Sequence, residues 1–377
     1  MTASAPICAP LSEASRRRTR TSALLFTASL ALLAGLAGCE SAPPPPPPAP
    51  LPPVAALPPP PPPVLLPRSV VELASVYEDY VHQAASIDPA FTASDKVEDS
   101  LKIAEQYQTS QLQEGQAAYG AIVALQDPTF LATLREFAKD ARQRSDIAAR
   151  LMAEPSYAGS FKGADSAAGL VISTFSDQAR RVIDTGARIH QAAYDVQHQS
   201  WSKADVVDRP GRLALAKALS ADPQKAIEVD TIRLSQNVTG AQAMGVAAPA
   251  APPPYTNVVN RSLALAAMAA LGEGGEEYSP QLIALLADPG EGQCLHLAKL
   301  DLYQCLSVAK PSYEDVFCLG QHAVGETGQC LMKASVVGYA LPPTITPPPP
   351  SRRSTEVAAT SKHRAKKKAA PRTTTTG

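Results

Sequence analysis

Between residues 68 and 340, apolar positions return at intervals of three and four. Phe130, Leu134, Phe137 and Ala141 form one such run, and Ala118, Ile122 and Leu125 another. This is the period of an amphipathic helix, and alternating β-branched runs are scarce. Asp127-Pro128 and Asp222-Pro223 each place a capping acid before a proline suited to the first helical turn; Ser279-Pro280 does the same with a hydroxyl. Asp95 with Glu98, and Ser312 with Asp315, are spaced as capping boxes. Asp127-Pro-Thr-Phe130 and Glu154-Pro-Ser-Tyr157 read as two helix starts. The expected body is therefore all-α. An Ala/Pro-rich linker at 245–256 is expected to divide a helical domain (68–244) from a smaller, cysteine-rich helical domain (257–341).

The two ends break the helical pattern. Arg16, Arg17, Arg18 and Arg20 precede an uncharged, mostly apolar run from Ser22 to Gly38, the layout of a secretory signal. The run is short for a membrane span, which needs about 20 apolar residues. It closes on Leu36-Ala37-Gly38-Cys39, which resembles the lipobox of bacterial lipoproteins. The resemblance covers only these four residues, but they sit directly behind the apolar run. It implies that residues 1–38 are removed, that Cys39 carries a diacylglycerol and a further acyl chain, and that the chain faces the periplasm. Two or three acyl chains suffice for stable anchoring. Glu40 is not the aspartate that favours inner-membrane retention in enterobacterial lipoproteins, so the resemblance points to the outer membrane.

Residues 43–67 hold sixteen prolines, with unbroken runs at Pro43–Pro48 and Pro58–Pro63. Proline lacks the amide donor and fixes φ, so this tract is expected to be a polyproline II rod of about 3.1 Å per residue. Directly behind an anchor it reads as a spacer (39–67); a ligand for a PxxP-binding groove is the other reading. The near-neutral total charge of −1 hides an asymmetry: residues 342–377 carry +7 and 1–38 carry +3, leaving −11 on 39–341. In the tail, Lys362, Arg364, Lys366, Lys367, Lys368 and Arg372 lie among Ala, Pro and Thr with no apolar period, so this segment is expected to be disordered. Outside the cytoplasm it would meet cell-wall polyanions or lipid head groups rather than nucleic acid. A tail that only solubilises the chain, or folds back on the acidic body, is the alternative.

Cys294, Cys305, Cys318 and Cys330 fall in an oxidising compartment on this reading, where structural disulfides are expected. Helix is expected from about Gln293 to Ala309, with a break at Lys310-Pro311 and a restart at Ser312. Cys294 and Cys305 then share a face but stand about 16 Å apart, beyond the roughly 7 Å between Cα atoms that a disulfide tolerates. Residues that oppose one another across a hairpin share a midpoint. The pairs Cys305–Cys318 and Cys294–Cys330 both centre on Pro311-Ser312, so this nested pairing is expected. The layout resembles twin Cx9C hairpins, with gaps of ten and eleven residues and with Gly320, Gly325 and Gly328 expected to loosen the second helix. The resemblance carries no function. Short zinc-knuckle spacings and a Cys-x-x-Cys dithiol are absent.

On one continuous helix, His190, Tyr194, Gln197, His198 and the single tryptophan, Trp201, would share a face, a possible binding surface or simply the edge of a packed helix. His296 and His322 flank the hairpin and could meet across it, but they lack a third ligand. Metallopeptidase, phosphate-loop, nucleophile-elbow and dinucleotide motifs are absent. No catalytic residue, metal or cofactor is therefore expected. The leading function is a non-catalytic, lipid-anchored helical scaffold or binding module; an envelope hydrolase is the alternative. Facing carboxylates in a pocket, or a three-ligand His/Glu/Asp cluster, would favour the enzyme.

Overall fold

Small side chains decide which helices occupy the centre. The computed structural model describes residues 62–341, apart from 289 and 291. The signal, Cys39, residues 43–61 of the proline tract and the basic tail lie outside the described residues. The described residues form α1 (Arg68–Ala85), α2 (Ser94–Glu105), α3 (Thr109–Ala124), α4 (Pro128–Phe137), α5 (Ala141–Ala153), α6 (Ala164–Val196), α7 (Ser200–Lys203), α8 (Arg209–Leu219), α9 (Glu228–Thr239), α10 (Asn257–Leu271), α11 (Ser279–Leu286), α12 (Gln293–Val308), α13 (Ser312–Cys318) and α14 (Thr327–Ser335). A π-helical stretch, Leu319–Glu326, joins α13 to α14 without a break. No β-strand occurs among them, and none of these helices is long and apolar enough to cross a membrane.

Helices α3 and α10 are rich in alanine and are buried on nearly every face. They touch where Gly120 leaves room for Ser262, whose hydroxyl donates to Ala117 O at 3.0 Å. Around this pair α1, α4, α6 and α11 pack their apolar faces. Segment 245–256 carries no helix, yet residues on both sides of it belong to one continuous hydrophobic core, from Val70 to Met332. The two regions read as separate domains thus share their interior. The spacer also ends earlier than expected: Val64 and Leu66 pack against the core, and Arg135 donates to Pro62 O at 3.1 Å.

Several predicted helix starts form differently. Asp127 caps α4 by accepting from Phe130 N at 2.7 Å, as expected. Asp222-Pro223 starts no helix, because Gln224 is held by a reciprocal pair of bonds to the Gln111 side chain, at 2.7 and 2.8 Å. Glu154-Pro155 opens a 3₁₀ turn, Pro155–Ser160, rather than an α-helix. Neither capping box forms. Helix α2 begins at Ser94 with no side-chain cap, and Asp315 is instead drawn into a buried ion pair with Arg212.

The C-terminal hairpin follows the expected course. Helix α12 ends at Val308, and the chain restarts at Ser312. Disulfides join Cys294 to Cys330 and Cys305 to Cys318, with Cα–Cα distances of 5.6 and 5.7 Å. Its glycines do not loosen the second arm; they dock it. A Cβ on Gly320 would come within 2.3 Å of His190 N, and one on Gly186 within 2.6 Å of Gly325 Cα, so the π stretch and α6 meet backbone to backbone. Helix propensity alone would make Gly320→Ala stabilising by about 1 kcal/mol. The backbone contact reverses that sign. Gly320→Ala is expected to destabilise by about 1–3 kcal/mol, read as a lower urea midpoint at unchanged slope.

Candidate functional site

The π stretch sets the register of the hairpin. On α12, Cys294, Ala298, Asp301 and Cys305 recur at four, three and four, which keeps them on one face. On the facing arm, Cys318, His322, Glu326 and Cys330 recur strictly every four residues. In a regular α-helix each step of four overshoots a full turn by about 40°, so Cys330 would stand about 120° away from Cys318. A π turn holds more residues than an α turn, and it takes back this drift. All four residues of the second arm are thereby turned towards α12, and both disulfides close.

Between the two disulfides, Asp301, His322 and Glu326 bring one donor atom each to within 4.8 Å of one another. His322 Nδ1 lies 3.0 Å from Glu326 Oε1, and Gln321 Nε2 donates to the same oxygen at 3.2 Å. The His322 and Glu326 side chains are 19 % and 22 % exposed. A cleft of about 290 Å³ opens beside them, lined by Asp301, Glu326, Gln329, Lys333 and Leu297. The sequence reading paired His322 with His296, which is exposed and outside this group. The sequence signal for this group is the spacing that also pairs the cysteines: Asp301 and His322 share the midpoint of Cys305 and Cys318, and Glu326 follows one turn later.

The five-residue face at 190–201 does not exist as one helix surface. Helix α6 stops at Val196, where Ser202 folds back and its hydroxyl donates to the Val196 and Gln199 carbonyls. His198 is left in the following turn, and Trp201 lies on α7, partly packed on the core. His190 is buried, edge-on to Phe317 at 4.7 Å and to Tyr194 at 5.5 Å. Neither of its ring nitrogens has a hydrogen-bond partner. Burial, with a smaller effect from His322, pushes its pKa below the ordinary histidine value. Tyr194, 47 % exposed, lines a largely apolar cleft of about 380 Å³ with Gln197, Val308, Tyr313, Phe317 and the Cys305–Cys318 disulfide.

Two buried ion pairs hold other elements to the hairpin. Arg212 on α8 meets the Asp315 carboxylate and also donates to Leu306 O. Lys299 Nζ lies 3.3 Å from Glu105 Oε2, donates to Ser220 Oγ at 2.7 Å and sits 3.5 Å above the Tyr107 ring. Burial pushes Glu105 up and Lys299 down, and their mutual attraction opposes both shifts. Neither Glu105 nor Lys299 lines one of the clefts described above, and the surrounding contacts give the pair a structural role.

The chain matches no family model, and no curated protein or solved structure is similar to it.

Proposed function

We propose that this chain is a lipid-anchored protein of the bacterial cell envelope, a non-catalytic helical binding module carried away from the membrane by a polyproline spacer. The observation that carries this reading is Leu36-Ala37-Gly38-Cys39 directly behind an uncharged apolar run and an arginine patch. Two features support it. Both hairpin disulfides suit an exported chain, and Arg135 fastens Pro62, late in the proline tract, to the helical body. The outer membrane is the favoured site, since Glu40 is not the inner-membrane retention residue. The basic residues Lys362, Arg364, Lys366, Lys367 and Lys368 provide a second attachment, to wall polymer or other anionic surface, at about 1 kcal/mol per residue and weakened by salt.

Cys39→Ser tests the anchor. Grown with an alkyne-tagged fatty acid, the parent protein should label and fractionate with membranes, whereas the variant should stay unlabelled and unprocessed. Equal labelling of the two would overturn the reading. One observation favours the envelope hydrolase as a second reading: Asp301, His322 and Glu326 form a three-donor His/Asp/Glu cluster beside a cleft, which a metal-dependent hydrolase could use.

A further inference from the structure

We propose that Asp301, His322 and Glu326 bind a divalent transition-metal ion across the disulfide-braced hairpin, leaving a coordination position open to the adjoining cleft. The inference is independent of the anchor and stands under either functional reading.

The donor set is one imidazole and two carboxylates, contributed by two helices. Zinc binds such donors at about 2.0–2.2 Å, so its ligand atoms stand roughly 3–4 Å apart. Donor atoms already within 4.8 Å need only side-chain adjustment to close on an ion. The imidazole favours a first-row transition metal over calcium or magnesium, which prefer oxygen donors throughout. The four hairpin cysteines are held in disulfides and offer no competing thiolate.

Three features prepare the site. The disulfides flank it on both sides, seven and four residues from Asp301 along α12, so the backbones that carry the donors are already fixed. The π stretch turns His322 and Glu326 together towards Asp301; π insertions are frequent at functional sites. Gln321 Nε2 donates to the Glu326 carboxylate, the kind of outer-shell bond that ligating carboxylates use. Three protein ligands leave zinc with an open fourth position. Lys333 lines the adjoining cleft, so an anionic group is favoured there over a neutral one.

The test uses the full, untagged chain in detergent, stripped with EDTA and dialysed. Zinc chloride titration by calorimetry, with metal counted by mass spectrometry, should give a site of micromolar or tighter affinity. His322→Ala and Asp301→Asn should each weaken it by about tenfold or more, as loss of a ligand must exceed the loss of an outer-shell partner. His296→Ala should leave it unchanged, and millimolar magnesium should not displace the zinc. Cobalt(II) supplies a second readout: its visible absorption should appear with the parent protein and vanish with His322→Gln. Melting of each variant without metal establishes that it is folded. Absence of zinc binding by the parent protein at about 100 times its own micromolar concentration would overturn the proposal. So would equal binding by the parent and both ligand variants, which would place the ion elsewhere and leave His322–Glu326 a plain hydrogen-bonded pair.

Discussion

Lys299→Ala should lower the unfolding free energy by about 3–5 kcal/mol, the cost of stranding a buried carboxylate. The Lys299 and Glu105 side chains are only 6 % and 1 % exposed, so water cannot replace the lost ammonium. Glu105 Oε1 already has no hydrogen-bond partner, and the variant would leave Oε2 with Ser220 alone. The pair bridges α2 and α12, so the loss should loosen the hairpin from the body. The double variant Glu105→Leu with Lys299→Leu removes both charges and should recover most of the loss, because a buried ion pair is often no more stabilising than apolar residues of similar volume. Urea unfolding of the three proteins measures this directly. If Lys299→Ala unfolds within about 1 kcal/mol of the parent, the pair is open to solvent and the buried arrangement is wrong.

Reduction of the two hairpin disulfides should cost about 4–6 kcal/mol and lower the melting temperature by on the order of 10 °C. The cross-links close segments with sequence separations of 13 and 36 residues. Singly, such loops are worth roughly 3 and 4 kcal/mol through the lost freedom of the unfolded chain, and nesting one inside the other makes the total less than additive. The replacements Cys305→Ala with Cys318→Ala should cost the smaller share. Non-reducing digestion should recover the 294–330 and 305–318 peptides. A main 294–305 link, or four free thiols in protein taken from envelopes, would contradict the hairpin.

What was legible in the sequence follows from what each signal depends on. The hairpin could be read because it rests on local facts: a proline break at 311, a fixed rise per residue and a disulfide's short reach. The helical class was equally legible from apolar spacing. The π stretch was not, since its glycines, Gly320 and Gly325, show their part only by meeting α6, more than a hundred residues away in the chain. Asp315 illustrates the same limit: its spacing from Ser312 fits a cap, and only the fold brings Arg212 to claim it. The 190–201 stretch is not one continuous helix, for a smaller reason. Its periodicity continues past Val196, while the backbone turns at a serine cap. The Asp301–His322–Glu326 cluster obeys the same midpoint spacing as the cysteines, so it is local enough to be legible.

The two clefts flank different disulfides and differ in character. The one beside Cys305–Cys318 is largely apolar, with Tyr194 and Phe317 in its walls; the one beside Cys294–Cys330 holds Asp301, Glu326 and Lys333. A ligand for the first would be chosen by shape and apolar area, and a ligand for the second by charge. His190 sits behind the apolar cleft, packed on the same Phe317 and Tyr194, and its burial keeps it in the neutral form over a wider pH range than an exposed histidine.

The mass of the N-terminal peptide of protein extracted from envelopes reads the proposed lipid on Cys39 without an intermediate. The mature chain should begin at Cys39 and carry a thioether-linked diacylglycerol with a further amide-linked acyl chain. A mature chain that begins elsewhere, or an unmodified Cys39 within an intact N-terminus, would contradict it.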